Sequence, residues 1–270
     1  MQANGGKMEI VFLGTGGGRW NLISQARRTG GLRINGSLII HVDPGPGALI
    51  ACHDFSQDPS KTGLLVVTHN HIDHVNDAGV IAEAMSGYAL QKKGWLIGSK
   101  SVIRGDKNGD KGISNYHMNA LSHVEVAKAG KGILVEIGGN KAILSPTRVK
   151  HDDRTGFGFT LEMDGRRIGY TSDTEYFDGI AGQYKGCDIL IANNLKSKDD
   201  GVPGHLFTNG TIKLFRQALP KLGVIAHMGM RLIKSGPEKE AKKIEKESGV
   251  RTIAATDGMK IDVSALKVRA

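Results

Sequence analysis

Cysteine is almost missing: of 270 residues only Cys52 and Cys187 carry a thiol, and they lie far apart in unrelated contexts. That excludes a disulfide framework and a thiolate metal site, and both read as small buried residues in a reducing compartment. Long apolar runs are missing too. No stretch approaches the length of a membrane span and no charged-then-apolar leader opens the chain, so no membrane partner is expected and a cytoplasmic location is. Internal repeats and low-complexity linkers are lacking, and the 39% hydrophobic content is enough for a substantial core, so one domain over residues 1–270 is expected. Acidic charge is the smaller share, with 27 Asp and Glu against 36 Lys and Arg and a net charge of +9. Such a balance concentrates phosphate-bearing substrates or nucleic acid near a surface, although charge alone names no partner.

Histidine, by contrast, is crowded at one place. Thr68-His69-Asn70-His71-Ile72-Asp73-His74 sets three imidazoles and a carboxylate within six positions, directly after the apolar run Gly63-Leu64-Leu65-Val66-Val67. A buried neutral histidine or a paired aspartate is tolerable singly, but several packed together cost desolvation unless a cation organises them. The apolar run has the length and β-branched content of a buried strand, which puts the motif on the loop at its carboxyl end. Consecutive side chains on a tight loop can converge on one point, whereas on a helix His69 and His71 would face different sides. The bland alternative is a polar loop with capping roles for Asp73 and Asn70, and the density of ligands weighs against it.

Around this motif, Met8 to Leu13 reads as a strand followed by the glycine-rich turn Gly14-Thr15-Gly16-Gly17-Gly18, and Leu32 to Val42 as a strand or hairpin pair ending at Asp43. Ala48 to Phe55 and Asp77 to Ser86 read as helices, Trp95 to Val102 as a strand, and Ser114 to His123 as a short helix or loop. From Gly132 to Met163 the pattern is β, with Gly138-Gly139-Asn140 and Asp164-Gly165 as hairpin turns. Helical signal around Asp178 to Tyr184 then precedes the strand Asp188 to Ala192. Helix Thr208 to Leu219 precedes strand Gly223 to Ala226, and helix Pro237 to Ser248 precedes strand Thr252 to Ala255. Meandering strands first and βα alternation later predict sheets packed face to face with helices outside.

His151, Asp173 and His227 each directly follow a predicted strand, as His69 does. Strand carboxyl ends commonly share a rim, so these residues can meet the histidine loop in space. Counting ligands gives two metals: His69, His71 and His151 for one, Asp73, His74 and His227 for the other, and Asp173 as a bridge. Nitrogen and oxygen donors without cysteine suit Zn first, with Mn or Fe as alternatives. Asp43 could orient a ligand histidine from behind. Two other motifs carry less. Gly14 to Arg19 lacks the last glycine of a dinucleotide fingerprint and the Lys-Ser/Thr of a phosphate-binding loop, so it reads as a tight turn beneath the metal site. Asp106 to Gly112 approaches a calcium loop, but its glycine is one place late and His117 stands at the closing-glutamate position, so a surface turn is expected.

With these residues in view, the chain resembles the metallo-β-lactamase-fold superfamily of hydrolases. All five superfamily motifs have counterparts in order, from Asp43 through His69 to His74, His151 and Asp173 to His227. The resemblance implies a four-layer αββα sandwich with a dinuclear site on one edge. Within the superfamily the chain looks most like the phosphodiesterase branch that includes ribonuclease Z, through Phe12-Leu13-Gly14-Thr15-Gly16, His227-Met228-Gly229-Met230-Arg231 and Asp257-Gly258. His205, ahead of helix Thr208 to Leu219, sits where that branch has a histidine that helps donate a proton to the leaving group. Two departures stand out. His151 to Asp173 leaves 21 residues, room for a hairpin and not for a tRNA-gripping arm, and Gly229 and Leu232 replace an expected serine and tyrosine.

The expected function is hydrolysis of a phosphodiester, RNA or DNA among the candidate substrates. Two divalent cations would lower the pKa of a bridging water toward about 7 and stabilise charge on the phosphoryl oxygens. Asp73 and His205 are the candidate catalytic residues, Asp73 steering the nucleophile's proton and His205 protonating the departing oxygen, with Arg231 or another basic residue offsetting phosphate charge. A carbonyl substrate such as a lactone, thioester or β-lactam is the competing enzyme reading. A nucleic-acid-binding scaffold without catalysis is the non-enzymatic one, and a homodimer is left open.

Overall fold

The structure is a computed structural model that describes residues 8–199, 201 and 203–269. Why the run after Gly63 is apolar at every position becomes clear from its two faces. Leu64 and Val66 point into one cluster of buried side chains while Leu65 and Val67 point into another, and all four are fully buried. A strand covered on both faces has no polar side to alternate with.

That strand, Leu64–Val67, lies in a sheet of eight. In spatial order these are Lys267–Arg269, Lys260–Asp262, Glu9–Phe12, Leu32–Asn35, Ile39–Val42, Leu64–Val67, Trp95–Gly98 and His123–Val126. Pairing is antiparallel up to Ile39–Val42 and parallel beyond it. The second sheet runs Thr252–Ala254, Leu222–Ala226, Ile189–Lys196, Arg166–Tyr170, Phe157–Met163, Asn140–Arg148 and Ile133–Ile137, with the short strand Leu206–Phe207 added beside Ile189–Lys196. It too divides into a parallel part and an antiparallel part.

The inner faces meet in one core. Phe12, Ile34, Ile40 and Ile97 from the first sheet pack with Phe159, Leu161, Ile168, Ile191 and Val224 from the second. Each such side chain contributes about 1.5–3 kcal/mol on leaving water. Helices Ala78–Met85 and Lys100–Arg104 cover the outer face of the first sheet through Ile81, Met85 and Val102. Helices Thr208–Ala218 and Pro237–Ser248 cover the second through Ile212, Phe215, Ala241 and Ile244. The result is the four-layer αββα sandwich. The other face of Pro237–Ser248 carries exposed Glu238, Lys239, Lys242, Lys243, Glu245, Lys246 and Glu247, as its charge pattern predicts.

Turns obey their residues. Ile137 pairs with Asn140 across Gly138 (φ 59°) and Gly139 (φ 81°), and Met163 pairs with Arg166 across Asp164 (φ 52°) and Gly165 (φ 71°), both two-residue hairpins with left-handed centres. Three expectations change. The strand predicted to reach Val102 ends at Gly98, because the Ser99 hydroxyl accepts from Val102 N (3.3 Å) and starts the helix Lys100–Arg104. The histidine motif is not wholly loop: His71 is the N-cap of a single turn, Ile72–Val75, that carries Asp73 and His74. Helices Gly18–Ser24 and Met230–Ser235 and strands His123–Val126, Lys260–Asp262 and Lys267–Arg269 were not predicted. Asp106 to Gly112 is a surface turn, with Asp106 Oδ1 accepting from Asn108 N (2.8 Å) and Asp110 N (3.0 Å). Both cysteines are buried and free. No described helix is long and apolar enough to cross a membrane.

Candidate metal centre

Strand carboxyl ends from both sheets converge on one edge. The first sheet delivers Asp43 after Ile39–Val42 and the motif from His69 to His74 after Leu64–Val67, while the second delivers His151, Asp173 and His227 after Asn140–Arg148, Arg166–Tyr170 and Leu222–Ala226. Side-chain donor atoms then gather into interlocking groups: His69, His71 and His151; Asp73, His74 and His227; His69, His74 and Asp173; and His151, Asp173 and His205. Within each group the atoms lie within 4.8 Å of one another. All seven predicted ligands are therefore brought together. His205 joins them through Nδ1, 3.5 Å from Asp173 Oδ2, while Arg231 is an exposed residue of helix Met230–Ser235.

Asp43 is the hub behind the donors. Its Oδ1 accepts from Thr68 N (2.7 Å), and its Oδ2 accepts from the Thr68 hydroxyl (2.8 Å) and the Tyr170 hydroxyl (3.0 Å) and faces His74 Nδ1 at 3.0 Å. A carboxylate fixed by so many donors fixes His74 in turn, with Nδ1 toward Asp43 and Nε2 toward the cluster. Asn193 does the same for Asp173, donating from Nδ2 to Oδ1 at 2.8 Å. Asp43, Ser172 and His227 have φ of 50°, 53° and 53°. Left-handed backbone at three non-glycine residues costs on the order of 1–3 kcal/mol each and is held by the surrounding bonds.

The glycine-rich turn presses on the same edge. Gly18 N donates to Asp73 Oδ2 (3.2 Å), and a Cβ on Gly17 would stand 2.3 Å from the His227 ring. The turn is anchored by Asp257, whose Oδ1 accepts from Thr15 N (2.9 Å) and the Thr15 hydroxyl (2.6 Å) and whose Oδ2 accepts from Arg28 N (2.8 Å).

Electrostatics set the protonation states. Burial, aided by the nearby His74, holds the His69 pKa well below its ordinary value. Burial also opposes charge on His74, yet Asp173, Asp43 and Asp73 together outweigh it and raise that pKa well above the usual range. For Asp73 and Asp173 burial pushes the pKa up, but His74 and His227 overcome it and hold both carboxyls ionised. His205 is lowered to about 4 by burial, with His227 and His151 adding to the effect and Asp173 opposing it.

The donor set fits cations. His69 Nε2 is buried with no hydrogen-bond partner, and an orphaned ring nitrogen needs a compensating contact. His74 Nε2 meets His227 Nε2 at 3.0 Å and His71 Nδ1 meets His151 Nε2 at 3.3 Å, and facing ring nitrogens cannot both present protons. Three carboxylates crowd His74, so positive charge is favoured at this point.

Sequence reasoning missed Thr68, Tyr170, Ser172, Asn193 and the rim carboxylate Asp152, 2.8 Å from His151 Nε2. Asp152 directly follows His151, and Asn193-Asn194 interrupts an apolar strand, so both had a signal. Tyr170 had none, being one aromatic in a buried strand.

The beta-lactamase superfamily domain matches residues 39–228, a span that holds Asp43, the histidine motif, His151, Asp173, His205 and His227. An uncharacterized protein of Methanocaldococcus jannaschii is 37% identical over 260 residues, covering 95% of this chain and 96% of its own length. A ribonuclease Z of Sulfolobus acidocaldarius is 25% identical over 87% of this chain and 93% of its own. Among solved structures, the metallo-beta-lactamase fold protein YhfI from Bacillus subtilis aligns with a TM-score of 0.75 at 17% identity, covering 94% of this chain and 98% of that one.

Proposed function

The chain belongs to the β-lactamase superfamily of metal-dependent hydrolases, and we propose that within it the protein is a dinuclear phosphodiesterase acting on a nucleotide-type phosphodiester, RNA and DNA included. The observation that carries this reading is the pair of three-residue donor groups with Asp173 reaching both. The likeness to a ribonuclease Z along 87% of the chain and the net charge of +9 favour a phosphate substrate over a carbonyl one.

His69, His71 and His151 would hold one divalent cation and Asp73, His74 and His227 the other, with Asp173 between them. Zn suits this nitrogen and oxygen set first, and Mn or Fe also suit it. When bound, the cations supply Lewis-acid activation of water and neutralise charge on the phosphoryl oxygens. The protein's own groups do the rest. Asp43 and Asn193 keep His74 and Asp173 in the geometry that points their donor atoms inward. Asp73, held by Gly18 N, is placed to take up a proton from the attacking water. His205 has Nδ1 toward Asp173, and an anionic substrate adds to that carboxylate in favouring the imidazolium, which would then supply a proton to the departing oxygen.

The test is metal-dependent turnover of bis(p-nitrophenyl) phosphate beside ester and lactone panels. His71→Ala is expected to lose metal from the group it forms with His69 and His151, and activity with it. His205→Gln is expected to keep metal and lose about 10²–10⁴-fold in kcat. Preference for the lactones would replace the phosphodiester reading, and loss of metal in His205→Gln would make that residue a ligand.

A further inference from the structure

A cavity of about 350 Å³ adjoins the donor cluster, bordered by Tyr176, Lys196, His205, Phe207, Asn209 and Lys213. His205 belongs both to this cavity and to the group it forms with His151 and Asp173, so a ligand filling the cavity meets the reaction centre through one shared side chain. The volume is near the lower end of small-ligand pockets, about 300–1,000 Å³.

The lining is specific in kind. Two half-buried aromatic rings, Tyr176 and Phe207, stand with the ammonium of Lys213, whose Nζ is 5.5 Å from the Tyr176 ring centre. Lys213 is exposed, and among the described residues no carboxylate pairs with it. Among the described residues two acids border the cavity: Glu175 pairs with Lys150 and accepts from Gly204 N (3.1 Å), and Asp199 accepts from Gly201 N (3.0 Å). A larger hollow of about 740 Å³ on the second sheet lacks this character, because its cations already pair, Arg167 with Glu162 and Lys221 with Asp188, each at 2.7 Å.

We propose that the cavity is a nucleotide subsite that receives the nucleoside unit on the leaving side of the scissile phosphate, its base against Tyr176 and Phe207 and an anionic oxygen against Lys213. Flat π-faces bind any base by stacking, and an ammonium beside them selects a phosphorylated ligand over a bare aromatic one. The substrate is thus a nucleotide diester, not a lipid or sugar diester. Hydrolysis adds one water across the P–O bond: the phosphoryl group keeps the hydroxyl, and the ribose oxygen leaves with a proton delivered at His205. This assignment rests on the phosphodiesterase reading.

Calorimetry on the metal-loaded protein tests it with adenosine 5′-monophosphate, ribose 5-phosphate and inorganic phosphate. The nucleotide is expected to bind about tenfold tighter than ribose 5-phosphate, the scale of one base stack. Lys213→Glu, an exposed position on a long helix, is expected to weaken the nucleotide about tenfold and to raise KM for adenylyl-(3′,5′)-adenosine. Lys92→Glu makes the same charge change outside the cavity and is expected to leave nucleotide affinity alone. Equal affinity for nucleotide and ribose 5-phosphate, a Lys213→Glu effect confined to kcat, or an equal effect of Lys92→Glu would overturn the subsite. Absence of metal-dependent bis(p-nitrophenyl) phosphate hydrolysis would instead overturn the phosphodiesterase reading beneath it.

Discussion

Gly17 shows how a residue with no side chain governs one that has chemistry. Its φ of −151° is ordinary extended backbone, so alanine there carries no conformational penalty. The obstacle is steric, for an added Cβ would meet three atoms of the His227 ring at 2.3 Å each. His227 cannot retreat freely, since its own φ of 53° is already held by the strand before it and by Met228 N donating to Thr15 O (2.8 Å). Gly17→Ala is therefore expected to displace the His227 ring and empty the group it forms with Asp73 and His74, while His69, His71 and His151 keep their geometry. Metal analysis on the purified variant checks this: with two cations bound as proposed, the ratio of metal to protein should fall by about half, a selective loss consistent with disturbed support of a single ligand. An undiminished ratio would show that the turn yields instead of the histidine.

Among the elements, the hairpin of Leu32–Asn35 and Ile39–Val42 places two basic side chains inside the protein. Arg33 and His41 are register partners, 1% and 0% exposed, with Arg33 against Cys52 of the helix Ala48–Asp54 and His41 Nε2 facing Gly30 O at 3.0 Å. Burial, reinforced by the Arg33 charge, lowers the His41 pKa from the ordinary 6.5 to about 3. Below pH 6.5 the unfolded chain therefore binds a proton that the folded chain refuses. This contribution to stability is full above the unfolded pKa and is lost as pH falls toward the folded one, at up to about 1.4 kcal/mol per pH unit. Urea midpoints between pH 4 and 7 are expected to fall less steeply for His41→Gln than for the native chain. Parallel curves would place the acid sensitivity elsewhere. The hairpin itself was legible in the sequence, as were the turns at Gly138-Gly139 and Asp164-Gly165, because turn chemistry is local. The buried Arg33–His41 pair was not, since nothing in a four-residue strand says which polar side chain faces inward under a helix. The same limit explains the single turn Ile72–Val75, too short to show a period, and the polar strands at Lys260–Asp262 and Lys267–Arg269, which exist by pairing with Glu9–Phe12 and with each other.

For the molecule as a whole, the two sheets share a core on their inner faces and are joined again at one edge, where every donor group containing His69, His71 or His74 also contains a residue from the second sheet. The clustering of the histidines in sequence made that edge visible in advance; the order of strands that carries His151, Asp173 and His227 to it is a long-range property that spacing alone does not encode. Cations bound there would cross-link the sheets and stabilise the fold, because they bind the native state and not the scattered ligands of the unfolded chain. The gain is about 4 kcal/mol when free metal exceeds its dissociation constant about 1,000-fold. Removing metal by chelation and dialysis is expected to lower the thermal midpoint, and adding back Zn to restore it. His71→Ala, which breaks one donor group and leaves Asp73, His74 and His227 intact, is expected to show a smaller difference between its chelated and Zn-supplemented midpoints than the native chain. A native midpoint that does not move on chelation and supplementation would mean that the edge holds no cation tightly enough to tie the sheets together.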